Sequence, residues 1–105
     1  MLIIQKIKKK KKYIFSSHYL ATQRLANFFI DKKIDLFLQI GTGNEYGNAR
    51  SPNSENFLCK PISTYAKAKL KATQYLLKLN KDYKFPAVIF RIYQVYGPNQ
   101  STNRL

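Results

Sequence analysis

Apolar positions recur at helical spacing over two stretches of the chain and form two short unbroken runs, and their order predicts an architecture. From Ser16 and Ser17, both good N-cap residues, to Lys33, the spacing brings Leu20, Leu25, Phe28 and Phe29 near one another and predicts an amphipathic helix. Basic residues at its end suit the negative pole of the helix dipole. Residues 36–40 (LFLQI), between Asp35 and Gly41, have the length and character of a buried strand. A second helix is predicted from Ser63 or Thr64 to about Asn80, with Ala66, Leu70, Thr73 and Leu77 on one side and Ala72, Leu76 and Leu79 beside it. Pro86 then opens residues 87–92 (AVIFRI), a β-branched and aromatic run that reads as the next buried strand; Tyr96, Gly97 and Pro98 form a turn beyond it.

Helix, strand, long loop, helix, strand and loop is the alternation of a parallel α/β sheet with right-handed crossovers. The predicted fold class is α/β, with the strands in one parallel sheet. Two strands and two helices leave one helix face and both sheet edges without partners, which marks a segment of a larger sheet. The 105 residues suffice for one small domain or a piece of one. The turn-rich loop at residues 41–62, punctuated by Gly41, Gly43, Gly47, Pro52 and Pro61, leaves the C-terminal end of the first strand, where open α/β sheets bind ligands.

Charge adds a second region. The formal net charge is +14, and Lys6 and residues 8–12 crowd the beginning of the chain. Such a block repels itself and predicts a poorly ordered basic arm over residues 1–15, ahead of a domain at 16–105. An excess of this size ordinarily points to nucleic acid or an anionic membrane. The basic run is not interleaved with aromatic residues, however, which argues against a nucleic-acid-binding module. Cys59 is the single cysteine, so no intramolecular disulfide or cysteine-based metal site can form, and His18 has no ligand at metal-binding spacing. The short apolar piece at residues 2–4 precedes the basic run, contrary to a signal peptide, and no apolar run approaches the roughly 20 residues that span a bilayer. A soluble, cytoplasmic protein without membrane partners is expected.

The candidate chemistry lies at the start of the second predicted helix. Tyr65 and Lys69 are four residues apart, so phenol and ammonium project from one helix face a single turn apart. A cation there favours phenolate over phenol, as proton exchange with a sugar or alcohol hydroxyl requires. Thr42, just after the first strand, can hydrogen-bond a reacting oxygen while Tyr65 moves the proton.

FLQIGTGNEYGNARSP, then Glu55, PISTYAKAK and FRIYQVYGPNQ together resemble the central part of the extended short-chain dehydrogenase/reductase family, the nucleotide-sugar epimerases, dehydratases and reductases. The resemblance covers residues 16–104. It implies that Thr42 is the catalytic hydroxyl, Tyr65 the general acid/base, and Lys69 the lysine that binds the nicotinamide ribose beside Tyr65; Thr42 and Gln94 are implied substrate contacts. It further implies a partial Rossmann-like, doubly wound parallel sheet, NAD or NADP as cofactor and a nucleoside-diphosphate sugar as substrate, with hydride passing between nicotinamide and a sugar carbon.

The departures narrow the expectation. Relatives that dehydrate sugars resemble Thr-Asp-Glu where this chain reads Thr42, Gly43, Asn44, and Glu45 lies one place too far along, so an epimerase or ketosugar reductase is expected. Gln94 stands where many relatives have Asn, His18 where Asn is frequent, and Ala21 where Gly is usual. The glycine-rich phosphate loop, GxxGxxG after a strand, is not among the 105 residues. A fragment inactive by itself is therefore expected, whose partner is the remaining part of the same enzyme; an inactive remnant is the alternative.

Overall fold

A computed structural model describes residues 1–104. Helix α1 (Leu2–Phe15) continues through one π turn at Ser16–Leu20 into α2 (Ala21–Phe29). Strand β1 (Phe37–Thr42), a 3-10 turn at Gly43–Glu45, helix α3 (Thr64–Tyr83) and strand β2 (Ala87–Ile92) follow. β1 and β2 pair in parallel, from Phe37 opposite Ala87 to Thr42 opposite Ile92, with α3 as the crossover. The partial Rossmann-like α/β segment is what forms. β1 runs two residues beyond the predicted end because Gly41 and Thr42 still pair with Arg91 and Ile92.

Helix α3 starts where Ser63, in extended backbone, accepts a hydrogen bond from the Ala66 N–H at 3.0 Å. It passes the predicted stop at Asn80, whose side-chain amide instead donates to the Phe85 carbonyl at 2.9 Å, and ends at Lys84 in the left-handed region (φ 55°). Ala66, Ala68, Ala72, Thr73, Leu76 and Leu79 form its buried face. The core joins Leu76 and Leu79 to Ala26 of α2, Phe37 of β1 and Phe85, with Phe29, Ile34, Ala87 and Ile89 packed against it.

Three expectations need correction. Ser16 and Ser17 do not open a helix: the helical path is already established, and the Ser17 hydroxyl donates back to the Tyr13 carbonyl at 2.7 Å. Residues 1–15, expected as an arm, are helical from Leu2, because lysine and the interspersed isoleucines carry little or modest helix penalty. Of the large apolar residues expected on the inner face of α2, Phe29 packs on the core but Leu25 and Phe28 do not. Ala26 is wholly buried, whereas Leu25 and Phe28 are exposed; likewise Leu77 of α3 is half exposed. Close approach of helix to helix favours the small side chain at the contact.

Helices α2 and α3 cover one sheet face, the side of Phe37, Ala87 and Ile89. The alternate residues Leu38, Ile40, Val88, Phe90 and Ile92 stand exposed on the other. No helix among the described residues is long and apolar enough to cross a membrane.

Candidate functional site at the C-terminal edge of the sheet

Parallel pairing delivers both strand exits to one edge. β1 ends on Thr42, whose Oγ1 accepts the Asn44 N–H at 3.2 Å while Glu45 Oε1 accepts the Thr42 N–H at 3.0 Å, a reciprocal capping box. Glu45 is completely buried. Its second oxygen accepts from the Thr73 hydroxyl of α3 at 3.0 Å and from Arg91 Nε of β2 at 2.9 Å. One carboxylate thus ties the turn to the crossover helix and the neighbouring strand. Gly41 makes room for it, since a Cβ there would lie 2.7 Å from Glu45 Oε1. The Arg91 guanidinium lies over the Tyr46 ring at 4.7 Å, and Tyr46 stacks with Tyr93 at 6.4 Å. Burial opposes the charge on Arg91, but its contacts with Tyr46 and Glu45 outweigh that and hold its pKa above the usual value.

The sequence signal for this network is Arg91 itself. A guanidinium inside an otherwise apolar strand requires a buried acceptor, and only five acidic residues exist to supply one.

Of the predicted site residues, Lys69 is tied directly to the strand end: its Nζ donates to the carbonyl of Ile40, two residues before Thr42. Burial lowers the Lys69 pKa, with Glu45 opposing. Tyr65, one helical turn earlier on α3, has its ring against that of His18 in the π turn, centroids 4.9 Å apart and planes at 88°. His18 has a lowered pKa, through burial and then through the charge of Lys69. Gln94 is exposed, two residues past the end of β2. Thr42, Tyr65, Lys69 and Gln94 therefore all belong to one sheet edge, and His18 joins them from the first helical layer.

Two concavities of about 490 and 460 Å³ lie beside this edge. The second is lined by Gly43 and Asn44 of the turn after Thr42, by Ser63 and Ala66 beside Tyr65 in sequence, and by Asn53 and Tyr93 from farther along the chain. Two of its lining residues are joined, the Tyr93 hydroxyl donating to Asn53 Oδ1 at 2.8 Å. As donors for a cofactor, the residues fit at one end only. The Lys69 ammonium has three N–H groups and uses one on Ile40, leaving donors for a ribose diol. The chain offers no glycine-rich loop to cradle a pyrophosphate.

Similar proteins share this fold, and solved structures among them hold NAD. The model of the NAD dependent epimerase/dehydratase family matches residues 4–105. An uncharacterized UDP-glucose epimerase of Bacillus subtilis is 32% identical over 80 residues, covering 76% of this chain and 25% of that protein. The dTDP-D-glucose 4,6-dehydratase of Mus musculus is 31% identical over 80 residues, covering 75% of this chain and 22% of the relative. The crystal structure of UDP-glucuronic acid 4-epimerase from Bacillus cereus in complex with NAD superposes with a TM-score of 0.74 at 32% identity, covering 82% of this chain and 28% of the other. The same enzyme with UDP-glucuronic acid and NAD gives 0.74 at 34% identity, covering 79% and 26%. The chain thus spans about a quarter of the length of the relatives it matches. By a family match over nearly all its residues and by its Rossmann-like fold, it belongs to the NAD-dependent epimerase/dehydratase family of nucleotide-sugar enzymes.

Proposed function

We propose that this chain supplies the acid/base portion of a nucleotide-sugar epimerase or ketosugar reductase. The observation that carries the reading is the Lys69–Ile40 contact, which fixes the Tyr65-bearing end of α3 against the strand that ends in Thr42. Thr42 Oγ1 is occupied as an acceptor by the Asn44 N–H, so its own hydrogen is free to point at a sugar oxygen. Tyr65 takes the proton of the reacting sugar hydroxyl or returns it, and the Lys69 charge stabilises the negative charge on the phenolic oxygen. The remaining Lys69 donors, with Tyr65, hold the nicotinamide ribose. Bound NAD or NADP supplies hydride exchange with a sugar carbon. The concavity between Asn44, Ser63 and Tyr93 receives the sugar, with Gln94 contacting it from the exit of β2. Dehydration is disfavoured because Gly43 and Asn44 carry no carboxyl and Glu45 is buried and committed to Thr42, Thr73 and Arg91.

The rest of the enzyme, including a glycine-rich loop, is the partner this reading requires. Two measurements test it. Calorimetry of the isolated chain should show NAD binding no tighter than about millimolar, since the pyrophosphate has no loop to sit on. Replacing the matching segment of the Bacillus cereus epimerase by residues 16–104 should give an active chimaera that loses about 100-fold or more in turnover on Tyr65→Phe. A folded, NAD-binding chimaera without Tyr65-dependent turnover would overturn the reading.

A further inference from the structure

Helicity changes what the basic run can do. In an open arm the lysines would be a diffuse polycation. In α1 they share 14 residues of helix with Leu2, Ile3, Ile4 and Ile7. At about 100° per residue, Ile3, Ile4 and Ile7 fall within an arc of roughly 100°, bordered by Lys8 and Lys10 and continued by Ile14, which is half-buried where α1 meets α3; Leu2 lies on the opposite side. Lys6, Lys9 and Lys12 lie outside it. Lys11 enters the arc, but a long stem lets such an ammonium reach sideways to water.

Only its C-terminal end touches the body, where Ile14 and Phe15 are half-buried and Lys71 of α3 lies over the Phe15 ring; on the arc, Ile3, Ile4 and Ile7 are 73%, 58% and 49% exposed. It contains no acidic residue, and neither ion pair among the described residues involves it.

We propose that α1 is an interfacial helix that docks this protein on an anionic membrane surface, its aliphatic residues entering the headgroup–acyl boundary and its lysines pairing with acidic lipid headgroups. Both halves of the surface then find a partner. Nucleic acid would take the lysines and leave the isoleucines in water, and α1 offers Tyr13 and Phe15 as its only rings. The proposal is independent of the chemistry assigned to Tyr65.

Vesicle co-sedimentation of the full chain tests it. Phosphatidylcholine vesicles containing about 30% phosphatidylserine should pellet the protein at least ~10-fold more strongly than pure phosphatidylcholine, and about 0.5 M salt should release it. Replacing Lys8, Lys9, Lys11 and Lys12 by Gln should weaken this binding about 100-fold or more. Ile4→Ser with Ile7→Ser should also weaken it at least ~10-fold while leaving affinity for single-stranded RNA unchanged. These isoleucines are exposed, so circular dichroism of the variant should retain the body's helical signal. Failure to pellet with the acidic vesicles overturns the proposal. So does vesicle binding indifferent to the isoleucine changes, or RNA binding tighter than vesicle binding.

Discussion

The two faces of the sheet are built from the same strands and have opposite fates. Toward α2 and α3, Phe37 is buried, Ile89 packs on the core, and Arg91, the one charged residue on that side, is paired with Glu45. On the opposite side, Leu38, Ile40, Val88 and Phe90 alternate with them and remain 42–54% exposed. Composition does not distinguish the faces, since the exposed one is the more uniformly apolar. What distinguishes them is the presence of a helical layer. Parallel sheets are ordinarily covered on both faces, so this pattern is that of half a doubly wound sandwich. It agrees with a chain that spans a quarter of its relatives.

The covered side should fail first where its one carboxylate is removed. Glu45→Ala leaves Arg91 without its partner and strips acceptors from Thr73 and the Thr42 N–H. A loss of about 3–5 kcal/mol is expected, comparable with the whole stability of a small domain, and a thermal melt should show no cooperative transition. Glu45→Gln keeps the shape and an acceptor and should cost less. If Glu45→Ala melts like the parent chain, the network does not hold the turn to the helix.

Adjacent residues on opposite faces sharpen the contrast. Ile89→Ala should cost about 2 kcal/mol in urea unfolding, at the low end for a partly buried isoleucine. Phe90→Ala, one residue on, should cost less than about 0.5 kcal/mol. A Phe90 effect as large as that of Ile89 would mean that the outer face is covered in solution, and sedimentation velocity would then show an assembly larger than one chain.

The same contrast explains what could be read from residues alone. The alternation of elements, the crossover and the place of Thr42, Tyr65 and Lys69 on one edge follow from periodicity and from the i,i+4 spacing, which are local. The facing of α2 does not: Leu25 and Phe28 dominate the pattern, yet Ala26 is inside, because the distance of approach to α3 is a tertiary quantity. The helix at Leu2–Phe15 was hidden by a conflict between two local rules, charge repulsion and lysine's good helix propensity, and the second prevails. Glu45 looked like a displaced catalytic acid, while its partners Thr73 and Arg91 lie 28 and 46 residues away in sequence.

The smallest expected effect is a pH dependence from His18, where the first helical layer meets the Tyr65 end of α3. Burial, and then the Lys69 charge, lower its pKa below 6.5, so the unfolded chain binds this proton more readily than the folded one. Stability from this group is therefore complete above 6.5 and declines as pH falls from 6.5 toward the folded-state value. His18→Asn should flatten the melting temperature across that interval. Lys69→Met removes the like charge but not the burial, so the imidazole resonance followed by NMR should titrate higher than in the parent and still below the ordinary value. An imidazole that titrates at or above 6.5 in the parent would mean that the His18–Tyr65 contact does not persist in solution, and the covered side would then be looser than its Glu45 network implies.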